Sequence, residues 1–147
     1  MADLSDATRN DIIAKTIGSM PFAQALSMRM GTVGNGEAEM IMPYHPDAVG
    51  DPETGVLHGG AVSALLDSCA GAAVLCHPDV STATATLNLR IDYMRPARPE
   101  QDIRARATCY HVTRSIAFVR ATATEGGGDR VVATASGAFT LQQTAIG

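Results

Sequence analysis

Residues 61–76, AVSALLDSCAGAAVLC, decide the fold. The stretch has helical length, is apolar or small almost all round and is poor in β-branched residues, which argues for a helix rather than a buried strand. A helix without a polar face has to be covered on most of its sides. Its alanines and Gly71 let other backbone approach closely, as a sheet curling around it requires. Gly59 and Gly60 stand where a loop becomes this helix, and Pro78 closes it. The helix carries one formal charge, Asp67. An ionised carboxylate in such surroundings costs several kcal/mol unless it is paired, hydrogen-bonded or neutralised.

Downstream of the helix the period becomes two. Over residues 82–93 the even positions are Thr82, Thr84, Thr86, Asn88, Arg90 and Asp92, and the odd ones Ala83, Ala85, Leu87, Leu89, Ile91 and Tyr93. This predicts a long strand whose odd face is buried. Asp102 to Tyr110 alternates likewise, with Ile103, Ala105, Ala107 and Cys109 inward. Strands over Ser115–Thr124 and Val131–Leu141 follow, joined by a turn across Glu125–Asp129. Upstream, residues 5–17 read as an amphipathic helix ended by Gly18, with a further helical turn after Pro21. Strands from Met28 to Val33 and from Glu37 to Met42 flank Gly34, Asn35 and Gly36, residues that tolerate the positive φ of a tight hairpin. Pro43 to Gly55 is a loop. The expected architecture is α+β, an antiparallel sheet wrapped around one central helix, as a single domain over residues 1–147.

Composition narrows the function. With 147 residues, 46% apolar and 18% charged, the chain reads as one globular unit able to bury about two-thirds of its unfolded surface. No apolar run approaches the roughly 20 residues of a membrane span. The start, Met1 to Asp6, has neither a basic end nor an apolar stretch, so no secretory signal is expected. Cys69, Cys76 and Cys109 are odd in number with no CxxC, which points to a reduced, cytoplasmic setting rather than a disulfide framework or zinc knuckle. His45, His77 and His111 stand isolated, read as surface or capping residues, and no metal is expected. The net charge of −4 argues against nucleic acid as a partner, but eight of the eleven basic residues, all arginine, follow residue 89. Guanidinium forks suit the phosphates of a small polyanion. A solvated strand face explains them equally well.

Val56-Leu57-His58-Gly59-Gly60 is the second chemical feature. Glycines at a helix start let a substrate approach the backbone, whose first N–H groups lack intrahelical partners and point with the helix dipole at negative charge. That is the equipment of an oxyanion hole for acyl transfer. A tight turn with His58 as a polar cap is the bland alternative. Nine residues separate His58 from Asp67, about 900° of rotation and roughly 13 Å of rise, which puts them on opposite sides of the helix. One reaction using both is then most simply built between two copies in a symmetric dimer.

The segments HGGAVSALLD (58–67) and LNLRIDYMRPA (87–97) resemble those of the hotdog-fold acyl-CoA thioesterases of the phenylacetate-pathway (PaaI-like) type, over nearly the whole chain from about Pro21 to Leu141. The resemblance implies a helix wrapped by a sheet, dimers joined edge to edge and often paired into tetramers. It implies Asp67 as nucleophile or general base, the Gly59 N–H as the polariser of the thioester carbonyl, His58 as an orienting group, and Thr86 as a holder of the attacking water. Gly60, Ser63, Asn88, Arg95, Arg114 and Ser115 become candidates for contact with the substrate and its CoA portion, and Arg98 joins them at a strand end. The chain departs from many relatives at Pro52, where an Asn or Gln is usual; Asp51 or Glu53 are the neighbours able to substitute.

The expected activity is hydrolysis of an aryl- or short/medium-chain acyl-CoA to free acid and CoA, with no cofactor beyond the CoA of the substrate. Two rivals stand at this point: a hotdog acyl-CoA hydratase or dehydratase moving protons through a His–acid pair, and a non-catalytic acyl-CoA-binding module. Ser63 and Ser68 lack a GxSxG elbow, so a serine hydrolase is not indicated.

Overall fold

The computed structural model describes residues 5–142. Two short helices, α1 (Asp6–Gly18) and α2 (Pro21–Ala25), precede the hairpin β1 (Arg29–Gly34) and β2 (Glu37–Met42). The central helix α3 (Gly59–Leu75) follows, then β3 (Thr84–Tyr93), β4 (Ile103–Val112), β5 (Ile116–Glu125) and β6 (Arg130–Leu141). The expected start at Met1 and the last residues of the predicted domain, 143–147, lie outside the described residues. Among the described residues no helix is long and apolar enough to cross a membrane.

Local chemistry sets the element ends. The Ser5 hydroxyl caps α1 by accepting the Thr8 N–H. Asn35 and Gly36 take φ of 53° and 79°, the left-handed pair that a two-residue hairpin demands. Arg9 of α1 donates to the carbonyls of Leu75, His77 and Val80, covering the C-terminal end of α3 where backbone acceptors lack helical partners.

All six strands are antiparallel in the order β1-β2-β4-β5-β6-β3. The inner face of β4, β5 and β6 is largely alanine: Ala105, Ala107, Ala117, Ala121, Ala123, Ala133 and Ala135 are all buried. These small side chains let the sheet curl closely around α3, whose Leu65, Leu66 and Val74 supply the bulk together with Met40, Met42, Ile103 and Phe139. The predicted inward set of β4, Ile103, Ala105, Ala107 and Cys109, is borne out.

β3 differs from its predicted pattern. It is an edge strand, and Ala85, Leu87 and Tyr93 are exposed rather than covered. Its ladder with β6 also slips by one residue: Thr86 faces Phe139, but Asn88 faces Ala138. This bulge at Leu87 reverses the parity of the strand. Before it, the even residues Thr84 and Thr86 share the helix-facing side with buried Phe139. After it, the odd residues Leu89, Ile91 and Tyr93 do so, opposite Gly137, Ala135 and Ala133. A Cβ on Gly137 would stand 2.5 Å from the Asn88 carbonyl oxygen, so only glycine admits the bulged backbone at this point.

Candidate active site

α3 is not covered on all sides. Because β3 ends the sheet, one helix face stays open, from exposed Gly60 through half-buried Ser63, Ala64, Asp67, Ser68, Gly71 and Leu75. Asp67 is therefore half-buried, not enclosed in the apolar rod as its neighbours in sequence suggested. Among the described residues the enclosed carboxylate is Glu125, with 4% of its side chain exposed. Burial pushes its pKa up, but the Arg98 backbone N–H, the Arg130 hydrogen bond and the charges of both arginines outweigh this and hold it below the ordinary value. Arg98, expected at a phosphate site, is thereby engaged: its Nε lies 3.1 Å from Glu125 Oε1.

The reversal of β3 brings Thr86 to Asp67. Thr86 Oγ1 donates to Asp67 Oδ1 at 2.8 Å, while Oδ2 makes no hydrogen bond among the described residues. The strand was expected to show Thr86 on the side away from the helix, so the contact depends on the bulge. Asn88, on the other side of the bulge, projects from the outer face with Ala138 and is not brought to Asp67. Ser63, one turn before Asp67 on the same face, donates to the Gly60 carbonyl.

At the N-terminus of α3, His58 is the helix cap: its Nδ1 accepts the Gly60 N–H at 2.7 Å. The Gly59 N–H has no partner among the described residues and remains as the free donor of the first turn. Tyr93, which the sequence marked only as an inward strand residue, donates from Oη to the Gly59 carbonyl at 3.0 Å. Gly59, Tyr93 and Arg95 line a cleft of about 390 Å³ with Leu57, Val62 and Met94. The run DYMRPA was the signal for Tyr93, since it continues the phase of Leu89 and Ile91.

Two groups of candidates are thus separated within one chain. Gly59, His58, Tyr93 and Arg95 lie at the start of α3 and the end of β3. Asp67 and Thr86 lie eight residues, about 12 Å, further along the helix. The Arg114–Ser115 turn sits at the Thr86 end, where the Leu141 N–H donates to the Ser115 carbonyl and Thr84 pairs with Leu141. Asp51 is turned back on its own loop: hydrogen bonds from the Thr54 hydroxyl and the Glu53 N–H lower its pKa, so it does not replace the amide missing at Pro52. His45 and His77 accept the N–H groups of Asp47 and Asp79, as capping residues do, while His111 is exposed. Among the described residues no three His, Cys, Asp or Glu side chains gather as metal ligands would.

Comparison with known proteins agrees with this architecture. The family model described as Thioesterase superfamily matches residues 54–132, from the loop before α3 into β6. The medium/long-chain acyl-CoA thioesterase YigI of Escherichia coli is 30% identical over 95 residues, 56% of this chain and 61% of that one. The chain thus spans about three-fifths of the length of such curated relatives. Among solved structures, a mutant of the phenylacetic acid degradation protein PaaI from Thermus thermophilus superposes with a TM-score of 0.73 at 28% identity, over 84% of this chain and 100% of that one. A thioesterase family protein from Silicibacter pomeroyi gives 0.79 at 26% identity, over 92% and 97%. With its wrapped helix led by two glycines and the family model matched over more than half its length, the chain belongs to the thioesterase superfamily and has the PaaI-like hotdog fold.

Proposed function

We propose that the protein is an acyl-CoA thioesterase, releasing CoA and a carboxylic acid from an aryl- or short/medium-chain acyl-CoA. The observation that carries this reading is the Asp67–Thr86 hydrogen bond on the one open face of α3. With Oδ1 held by Thr86, Oδ2 takes a proton from water as that water attacks the thioester carbonyl, or attacks the carbonyl itself. The oxyanion that forms is stabilised by the Gly59 N–H at the positive end of the helix dipole. In the first course the C–S bond breaks as the proton held by Asp67 passes to the CoA thiolate; in the second it breaks to leave an Asp67 anhydride, which water hydrolyses to the carboxylic acid and the free carboxylate, the thiolate taking the proton released. The name of the Escherichia coli relative supports acyl-CoA as the substrate class.

The separation of Asp67 from Gly59 supports a site completed by a second copy. β3 is an unpaired edge carrying exposed Leu87 (53%) and Tyr93 (53%), followed by Met94 (52%), apolar surface that an edge-to-edge dimer would cover. Antiparallel pairing of β3 with its copy about a twofold axis sets the Thr86 end of one strand beside the Tyr93 end of the other. Asp67 of one copy then approaches Gly59 of the other, and Arg114 and Ser115 approach Arg95, which together suit the phosphates of CoA. A further pairing of dimers into tetramers is in keeping with this assembly.

A hydratase is disfavoured by His58. In the neutral ring, Nδ1 accepts the Gly60 N–H and Nε2 carries the proton, which leaves no free lone pair to take a proton from substrate. The test is thiol release from a panel of acyl-CoA thioesters by wild type and by Asp67→Asn. Hydrolysis by wild type and its loss in the variant support the assignment. Undiminished release by Asp67→Asn refutes it, and tight acyl-CoA binding without turnover in wild type favours a binding module.

A further inference from the structure

Beyond Asp67 the open face of α3 continues toward α1. Asp67, Gly71 and Leu75 follow one another along one ridge of the helix, all half-buried. Opposite them, the helix-facing residues of β3 run back from Thr86 to Thr84, and Thr82 precedes the strand. The Thr84 hydroxyl behind this wall is buried and makes no hydrogen bond among the described residues. The strip ends in a cavity of about 190 Å³ where Leu75 and Thr82 meet Ile12, Ile13 and Val80. Arg9, at the rim of that cavity, fastens α1 to the end of α3 through the Leu75, His77 and Val80 carbonyls, which gives the strip a fixed stop. Gly71 leaves the strip without a side chain at its middle, where a Cβ would meet only the Phe139 ring, at 3.9 Å.

We infer that this strip receives the acyl chain, that Gly71 is its gate, and that Leu75 with Ile12 of α1 sets the length it accepts. The inference rests on the thioesterase reading and narrows the acyl group to an unbranched aliphatic chain of medium length. Eight helical residues from Asp67 to Leu75 cover about 12 Å. A single aromatic ring attached to the thioester carbonyl ends well short of the cavity, whereas a medium aliphatic chain reaches its apolar wall and buries its end there.

The test compares wild type, Gly71→Leu and Ile12→Ala on straight-chain acyl-CoAs from butyryl to dodecanoyl and on benzoyl-CoA. Gly71→Leu is expected to lower the ratio of kcat/KM for decanoyl over butyryl substrate by roughly tenfold or more. Ile12→Ala, a truncation of an exposed side chain, is expected to move the preferred length upward. Equal losses at every length, or a wild-type preference for benzoyl-CoA, overturn the inference while leaving the thioesterase reading intact. Binding of thioether analogues of the same acyl-CoAs, measured by calorimetry, separates the remaining case. If wild type hydrolyses none of the thioesters, a chain-length-dependent loss of analogue affinity in Gly71→Leu still supports the channel, and a uniform loss or none overturns it.

Discussion

Thr86 reaches Asp67 because the β3–β6 ladder skips a residue at Leu87; without that slip the Thr86 hydroxyl would point to the outer face of the sheet. The contact orders the candidate carboxylate from a strand, while the carboxylate itself rides on a helix, so a local irregularity in one element sets the geometry of another. Thr86→Val is expected to lower kcat on the order of tenfold to a hundredfold, the range for losing a hydrogen bond to a charged group, with a much smaller change in Tm because Thr86 is exposed. Steady-state kinetics beside a thermal melt separates these effects, and an unchanged kcat would remove Thr86 from the site.

Assembly of the site from two copies predicts complementation. Asp67→Asn and Gly59→Val are each expected to be inactive, the second because its side chain crowds the N–H offered to the oxyanion. A Cβ at Gly59 meets Tyr93 at 3.4 Å or more, an ordinary van der Waals contact, and a thermal melt of the variant checks that it folds. Co-expressed, the two variants form mixed dimers with one intact site, and roughly a quarter of wild-type activity should return if half the dimers are mixed. No recovery in verified mixed dimers would place the whole site within one chain.

Glu125 predicts the response to acid. Its pKa is depressed below the ordinary 4.5 in the folded state, so its contribution to stability is complete above that value and is lost as the pH falls through the lower folded value. Glu125→Gln should lower stability at neutral pH by about 1–3 kcal/mol, since Arg98 and Arg130 lose a charged acceptor. The gap in Tm between wild type and variant should close as the pH is taken well below 4.5. A gap that persists unchanged in acid would contradict the ion pairing.

Two glycine-to-alanine substitutions should have opposite signs. At Gly137 the new Cβ stands 2.5 Å from the Asn88 carbonyl oxygen, and relieving that overlap costs about 1–3 kcal/mol. At Gly71 the nearest atom is the Phe139 ring at 3.9 Å, and replacing a helical glycine gains up to about 1 kcal/mol. Urea unfolding of both variants checks the pair.

The buried thiols should stay silent in a thiol-release assay. Burial raises the Cys69 thiol to about 12 and the Cys109 thiol to about 11, and raises Cys76 as well, so almost no thiolate is present at pH 8. Folded protein should react slowly with a disulfide reagent, and all three cysteines should react promptly in denaturant.

Much was legible without coordinates because it is local. The apolar run from Ala61 to Cys76, the alternation of β4 with Ile103 and Ala105 inward, and the Asn35–Gly36 turn are each set by period or by backbone freedom within a few residues. The glycines at the start of α3, readable as an opening for substrate or as a tight turn, and the lone Asp67 in an apolar run likewise stand out in the sequence.

What only the tertiary structure decided is which way those residues face. β3 is an edge because of where its chain crosses the sheet, and this leaves Asp67 half-open while Glu125 becomes the enclosed acid. The bulge at Leu87 is invisible to a two-residue period because the room for it comes from Gly137 on a different strand. Arg98 is claimed by Glu125 and His58 Nδ1 by the Gly60 N–H, since a polar group binds whatever partner folding brings nearest. Period and turn chemistry act within one segment, whereas burial, register and pairing depend on groups that only the folded chain brings together.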